Sequence, residues 1–255
     1  MVSHRKLYRK VGSRMGWDFR ALSKRTKVVG KKWKFPELVE KRARGKTILD
    51  VGTGGGELLL RIAKHAKTAC GIDVTKEMIR TARRNLRRSG LRNVEFTVAD
   101  SRKLPYPDGC FDVVMCRHAP FYAREVARVL RPGGTFMTQQ VTEDDKLNVK
   151  KVFGRSGHGT TKPGTLLKKC LADIRRSGLK IVRKDRYDAT EYYSMDDMIF
   201  LLKNTPIVCG LDVKRDAKKL EELDRRFTTR YGIRTNATRF LLICRKPKAF
   251  CNALP

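Results

Sequence analysis

A doubly wound α/β fold, with a mostly parallel sheet covered by helices on both faces, is the architecture this sequence predicts. Three observations carry it. From Lys46 onward, short apolar runs of strand length alternate with helical segments, which requires right-handed crossovers between parallel strands. The first run, Thr47–Val51, stops in a glycine-rich turn, Gly52-Thr-Gly-Gly-Gly56. Acidic residues, Asp50 and Asp73, close the first two runs.

The elements follow in order. Thr47–Val51 is bounded by the glycines and reads as a buried strand, and Glu57–Ala66 as the helix behind it. Thr68–Asp73 is the second strand. Thr75 then stands at the N-cap of a strongly basic helix that runs to Ser89 and is closed by Gly90. Asn93–Ala99 and Phe111–Cys116 are the third and fourth strands. A helix over Phe121–Leu130 ends at Arg131-Pro-Gly-Gly134, and Thr135–Val141 is the fifth strand. Beyond it come a helix over Pro163–Gly178, a sixth strand at Leu179–Tyr187, helices at Ser194–Asn204 and Lys214–Tyr231, and a last strand at Arg239–Arg245. About fifty residues between the last two strands exceed any hairpin connection and predict an inserted cap. The expected organisation is a basic leader (1–46), a core (47–187), a helical cap (188–236) and the last strand with its tail (237–255).

Composition bounds the function. A chain of 255 residues with 40% apolar content suits one elaborated α/β domain and excludes wholesale disorder. No apolar run is long enough to span a membrane. Met1–Lys10 is basic and acid-poor but lacks the apolar stretch of a secretory signal, so the expected compartment is the cytoplasm. Seven cysteines (70, 110, 116, 170, 209, 244 and 251) form no Cys-x-x-Cys pair. That pattern suits a reducing compartment, offers no metal signature, and reads as small core hydrophobes. Cys116 stands apart through its place at the end of the fourth strand. The formal charge is +32, from 58 basic and 26 acidic residues, so the excess cannot be paired within the chain. A polyanion is expected, nucleic acid first. The leader holds 16 Lys or Arg against Asp18, Glu37 and Glu40, interleaved with Tyr8, Trp17, Phe19, Trp33 and Phe35. That composition suits a single-strand RNA surface, or equally an N-terminal helical layer packed over the core.

Gly52, Gly54 and Gly56 lie between a strand and a helix, the setting of a nucleotide-binding loop. Asp73 ends the second strand, where a carboxylate binds ribose hydroxyls, and Ala99-Asp100-Ser101 follows the third, where an acceptor meets an adenine amino group. Five segments are decisive: Leu49-Asp-Val-Gly-Thr-Gly-Gly-Gly-Glu57, Gly71-Ile-Asp73, Ala99-Asp100, Phe111-Asp-Val-Val114 and Arg128-Val-Leu-Arg-Pro-Gly-Gly134. On these, residues 46–141 resemble the class I (Rossmann-like, seven-stranded) S-adenosylmethionine-dependent methyltransferases, notably the quinone-biosynthesis (type 11) subgroup. The resemblance implies that Asp50 and the backbone of Gly52, Thr53 and Gly54 hold the methionine end of the cofactor, with Gly56 completing the loop. It implies Asp73 on the ribose, Val74 against the adenine and Asp100 at its amino group, with Ser101 and Cys116 also among the cofactor-binding residues. A dehydrogenase would instead set a pyrophosphate on the first helix N-terminus. Glu57 stands there and would repel it, while suiting a cationic amine and sulfonium.

Methyl transfer requires alignment of nucleophile, methyl and sulfur, and a base only where the nucleophile must lose a proton. Beyond the fourth strand the chain reads Cys116-Arg-His-Ala-Pro-Phe-Tyr122. His118 is the candidate base, or else shapes the pocket or caps the next helix. Phe121 and Tyr122 are candidates to stack on a planar acceptor. Gln139 and Gln140 are candidates to hydrogen-bond the acceptor, or to satisfy backbone groups. Tyr192 and Tyr193, with Met195, Met198 and Ile199, would line the cap. The chain has no Asn-Pro-Pro-Tyr or Asp-Pro-Pro-Tyr segment and no Pro-Cys nucleophile, which argues against exocyclic-amine and cytosine-C5 chemistry. Two acceptors compete. RNA, ribosomal RNA foremost, would be drawn in by the leader and by Arg80, Arg83, Arg84, Arg87 and Arg88, whose bland reading is a solvated helix face. A small quinone-like or other metabolite would instead be enclosed by the cap. A third reading is a non-catalytic, ribosome-associated binder of the same cofactor. No metal is expected, and the oligomeric state stays open.

Overall fold

The computed structural model describes Leu22 and residues 25–156 and 162–248. The leader aromatics Tyr8, Trp17 and Phe19 lie outside the described residues, as does Cys251. Along the chain come β1 (Lys27–Val29), α1 (Phe35–Ala43), β2 (Thr47–Val51), α2 (Glu57–Ala63), β3 (Thr68–Asp73), α3 (Lys76–Ser89), β4 (Val94–Val98) and β5 (Phe111–Arg117). Then follow α4 (Ala123–Val129), β6 (Leu130–Val141), α5 (Leu147–Phe153), α6 (Thr165–Arg176), β7 (Lys180–Tyr193), α7 (Met195–Asn204), α8 (Ala217–Phe227), β8 (Thr228–Thr229) and β9 (Gly232–Arg245).

The sheet runs β1-β7-β9-β6-β5-β2-β3-β4, with β8 added on β9. Seven strands were expected, and nine are present among the described residues. The additions, β1 and β8, hold three and two residues, too few to show any alternation in sequence. β8 also shortens the expected Lys214–Tyr231 helix, which ends at Phe227 because Thr228 and Thr229 pair with Ile233 and Gly232. β7 and β9 run to fourteen residues each, beyond the expected Leu179–Tyr187 and Arg239–Arg245. Contacts divide the chain into two compact units. One comprises Lys34–Gln140, Leu167–Asp185 and Phe240–Pro255, the other Met1–Trp33, Val141–Leu166 and Arg186–Arg239.

In the first unit β2 pairs in parallel with β3 and β5, β3 with β4, and β5 with β6. These strands are buried on both faces, which is why they read as unbroken apolar runs. Ile48, Leu49, Ile72, Val114 and Phe136 are each no more than 1% exposed, and burial of such a side chain contributes about 1.5–3 kcal/mol. The register sets Val51 beside Ile72 and Cys116, Asp73 beside Val98, and Arg117 beside Gln139. Five carboxyl ends therefore share one edge, the edge at which open α/β sheets bind ligands. α3 turns Met78, Ile79 and Ala82 inward and its arginines outward, and Gly90 at φ +70° ends it. Thr75 holds the N-cap position but makes no capping bond; its hydroxyl serves Asp73 instead. Phe35 is fully buried in this unit, so it does not belong to an RNA-stacking surface.

The second unit packs Phe153, Met198, Leu202, Leu223 and Ile233 into its own core. Trp33 lies here, 6% exposed, with its ring 4.5 Å from that of Tyr187. It too is a packing residue. Beneath the strands sits a buried ionic cluster. Lys146, 2% exposed and at φ +54°, donates from Nζ to Glu191 Oε2 at 2.6 Å and to Asn236 O at 3.1 Å. Arg239 donates to Asp145, and the Tyr193 hydroxyl to Glu191 Oε2. Burial pushes both carboxyls up, but Lys146 and Arg239 pull them below the usual carboxylate range. Among the described residues no helix is long and apolar enough to cross a membrane, and the six described cysteines are free thiols.

Removing one partner strands the others in a low dielectric. Lys146→Met leaves the Glu191 carboxylate without its cation, and urea titration is expected to register a loss of about 3–5 kcal/mol.

Candidate functional site

The site begins at the turn after β2. Gly52 N and Thr53 N both donate to Ile72 O, at 2.9 and 2.8 Å, which fastens the turn to β3. Gly52 and Gly56 hold φ +76° and +80°. A Cβ on Gly52 would lie 2.2 Å from Ala119 Cβ, and one on Gly56 2.5 Å from Phe96 Cζ. Both the backbone twist and the close approach require glycine. Gly54 N donates to Asp73 Oδ2 at 3.1 Å and Thr75 N to Asp73 Oδ1 at 2.9 Å. One carboxylate thus holds the loops after β2 and β3 together. Asn85 supports the turn from below, donating to Gly55 O at 2.9 Å and to Glu57 Oε1 at 3.3 Å.

Asp50, 3% exposed, is pushed up to about 7. Burial is the main cause, with the charges of Asp73 and Glu57 adding to it and Thr53 and Arg117 opposing. Thr53 is near enough to lower the value, yet its buried hydroxyl has no partner in hydrogen-bonding geometry. Burial also raises Asp73, against the bonds from Thr75 and Gly54. Three acids and an unsatisfied hydroxyl thus gather around one turn. A ligand with a cationic amine and a sulfonium supplies what is missing, so these residues fit the cofactor implied by the sequence. Val74, Val98 and Tyr122 are 47%, 41% and 47% exposed at the same carboxyl edge and offer apolar surface to a planar base. Asp100 Oδ1 accepts from Arg102 N, and Oδ2 from the Arg102 guanidinium at 3.0 and 2.7 Å. Ser101 follows in the same turn.

On the acceptor side, the Cys116 thiol donates to Ala119 O at 3.1 Å, and burial raises it far above the ordinary thiol range. It is a protonated wall, not a nucleophile. Gln140 Nε2 donates to Ala119 O at 3.0 Å and to Thr138 Oγ1 at 2.8 Å, which pins the loop after β5. His118 is exposed and held at φ +56°, a conformation that costs a non-glycine residue about 1–3 kcal/mol. Gln139 holds it twice: His118 N donates to Gln139 O at 2.9 Å, and the side-chain amide lies 2.9 Å from His118 Nε2. Gln139, 4% exposed, is thus a partner of His118. Phe121 packs on Phe136 with centroids 4.9 Å apart, while Tyr122 stays open.

The first unit therefore brings together every expected cofactor residue with His118, Phe121, Tyr122 and Gln139. Tyr192 and Tyr193 belong to the other unit. Tyr193 is 6% exposed with its hydroxyl bound to Glu191, a core residue rather than a lining one. Tyr192 meets Tyr231 edge-on at 5.6 Å; Met198 is buried, with Met195 and Ile199 packed against the same core. Sequence reasoning missed Asn85 and Arg117. Only Asn85 left a trace, as a polar residue following Met78 and Ala82 on the inward stripe of α3.

Two measurements check this geometry. With Asp50 titrating near 7, S-adenosylmethionine affinity by calorimetry is expected to rise from pH 6 to pH 8, and Asp50→Asn to flatten that rise. In the free protein a raised carboxyl favours folding fully below about pH 4, and this contribution is lost as pH climbs through 7. Asp73→Ala is expected to weaken cofactor binding by about 1.5–3 kcal/mol.

The family described as "Methyltransferase domain" matches residues 42–183, more than half of the chain. The uncharacterized methyltransferase YcgJ of Bacillus subtilis is 36% identical over 97 residues, 35% of this chain and 38% of that protein. Demethylmenaquinone methyltransferase of Thermus thermophilus is 41% identical over 98 residues, 35% of this chain and 44% of that protein. The chain thus spans less than half the length of these curated relatives. The crystal structure of YcgJ superposes with a TM-score of 0.62 at 23% identity, over 84% of this chain and 98% of that one. A methyltransferase in complex with the Haloferax volcanii Trm112 activator gives 0.55 at 18%, over 94% and 97%. At such identities the likeness is one of fold. With the family match over the turn, β3 and the loop after β5, the chain belongs to the methyltransferase domain family, with the class I Rossmann-like fold and S-adenosylmethionine as its cofactor.

Proposed function

We propose that the protein is an S-adenosylmethionine-dependent methyltransferase acting on RNA, ribosomal RNA foremost. The observation that supports this most is uncompensated charge along α3, the helix that leads from the carboxyl edge back along the sheet. α3 starts two residues after Val74, and its Arg80, Arg84, Arg87 and Arg88, with Arg92 beyond, are exposed and have no anionic partner among the described residues. Arg83 is excepted, since its guanidinium donates to Phe96 O at 2.8 and 3.2 Å and so serves the fold. A row of cations with no acid to answer it attracts a polyanion.

When bound, the cofactor supplies an electrophilic methyl on sulfur, displaced in line by a nucleophile. The chain's residues set the stage for that displacement. Asp50, Thr53 and the Gly52–Gly54 backbone hold the amino-acid end, Asp73 the ribose, and Val74, Asp100 and Ser101 the base. Where the acceptor is a hydroxyl or amine, His118 takes its proton. Gln139 Nε2 lies 2.9 Å from His118 Nε2 and orients the ring; once the ring is protonated, a turn of the amide lets its oxygen accept from Nε2–H and steady the imidazolium. Tyr122 stacks on the acceptor.

A second reading is methylation of a small molecule. It is favoured by the names of relatives: demethylmenaquinone methyltransferase, above, and ajmaline N-methyltransferase of Rauvolfia serpentina, 36% identical over 112 residues.

Incubation of the protein with methyl-labelled cofactor and fractionated cell extract separates the readings. Label is expected in RNA, and His118→Gln should reduce its incorporation by about 100- to 10,000-fold. Label confined to the small-molecule fraction would favour the second reading. Cofactor binding with no labelled product would leave a non-catalytic binder.

A further inference from the structure

The stretch 167–185 of the first unit holds charge that the cofactor site does not use. It carries Lys168, Lys169, Arg175, Arg176, Lys180, Arg183 and Lys184 against only Asp173 and Asp185. Both acids are taken: Asp173 pairs with Arg176, and Asp185 accepts from Arg183 Nε at 2.6 Å. Lys168, Lys169, Arg175, Lys180 and Lys184 are exposed and keep no anionic partner among the described residues. They are not spread evenly. Arg175, from the last turn of α6, and Lys180 and Lys184, from the start of β7, line one surface cleft of about 520 Å3 floored by Leu171, Leu179 and Ile181.

The chemistry of the cleft narrows its occupant. Over Lys180–Asp185 one side of β7 has no paired strand among the described residues, since β1 pairs only with Thr190–Tyr192. Such an edge invites strand addition, but lysines along it are a standing defence against a peptide strand. Lys180 and Lys184 share a face of β7 and lie about 13 Å apart along it. That span exceeds a single phosphate group and suits successive phosphates of one chain. The floor is aliphatic, with no ring on which a base would stack, so the contact is to backbone and tolerant of sequence.

We infer that this cleft is a docking groove for the phosphate backbone of single-stranded RNA, with Arg175, Lys180 and Lys184 as its contacts. It rests on the RNA reading above and assigns that reading a second anchoring surface, separate from α3 and the cofactor loops.

The test is fluorescence anisotropy of a labelled oligouridylate with the full chain across salt concentrations. The triple variant Arg175→Gln, Lys180→Gln, Lys184→Gln is expected to bind about tenfold or more weakly, with its salt slope reduced by about 2. A control of equal charge change, Lys41→Gln, Lys64→Gln, Lys67→Gln, should lose far less. Cofactor affinity should be unchanged in both. Equal losses in the two variants would overturn the groove while leaving RNA binding intact. A wild-type chain that binds no RNA, or binds it without salt dependence, would overturn the RNA reading and the groove with it. If the triple variant is unstable, acetylation footprinting of the wild type decides: bound RNA should protect Lys180 and Lys184 more than Lys64 and Lys67, and equal reactivity would reject the groove.

Discussion

The Asp73 carboxylate is the contact on which the cofactor site depends. The glycine turn after β2 is fastened to β3 by Gly52 N and Thr53 N on Ile72 O, but those bonds do not set its spacing from the start of α3. Asp73 does so by accepting from Gly54 N with one oxygen and from Thr75 N with the other. Those two N–H groups would otherwise be left to solvent or ligand. Because a carboxylate oxygen accepts more than one bond, the same group keeps capacity for ribose hydroxyls. A structural duty and the proposed ribose contact thus fall on one side chain. Its ionised form is burdened by burial, and so is that of Asp50 nearby.

Two buried clusters of charge show how compensation separates framework from site. In the second unit, Asp145 and Glu191 face Lys146 and Arg239, two acids against two bases, and the carboxyls are held low despite burial. Nothing there awaits a ligand. Around the glycine turn, the charges of Asp73 and Glu57 add to the burial of Asp50, Thr53 and Arg117 oppose them, and Asp50 is driven up to about 7. The free protein carries this imbalance as a cost to stability, and a cationic ligand removes it. Such a deficit points to function more securely than either acid alone would.

Much of this was legible in the sequence. β2, β3 and β5 are fully enclosed, so their apolar runs are continuous, and the glycines mark where they stop. α3 announces itself by a basic face, an apolar face and a closing glycine. The elements not read are those whose signal is too short: β1, β8, and the seven-residue α5, which starts after a left-handed Lys146. Side-chain partnerships were the other blind spot. Gln139 is a neighbour of His118 only because β5 and β6 pair Arg117 with Gln139. Tyr193 reads as a lining aromatic until the buried Glu191 beside it claims its hydroxyl.

The arginines divide in a way that bears on the excess charge. Some serve the fold through carbonyls: Arg128 donates to Tyr106 O and Leu104 O while meeting Glu125 and Asp108, and Arg131 donates to Gly109 O while meeting Asp112. Planar guanidinium forks suit such multiple contacts, which an ammonium cannot match. Others, Arg80, Arg84, Arg87 and Arg88 on α3 and Arg175 with four lysines over 167–185, are exposed and have no anionic partner among the described residues. Removing them would leave these hydrogen bonds untouched and would ease self-repulsion in the folded state. Their presence therefore has no account within the fold, and a polyanionic partner is the physical circumstance in which they stabilise rather than oppose it.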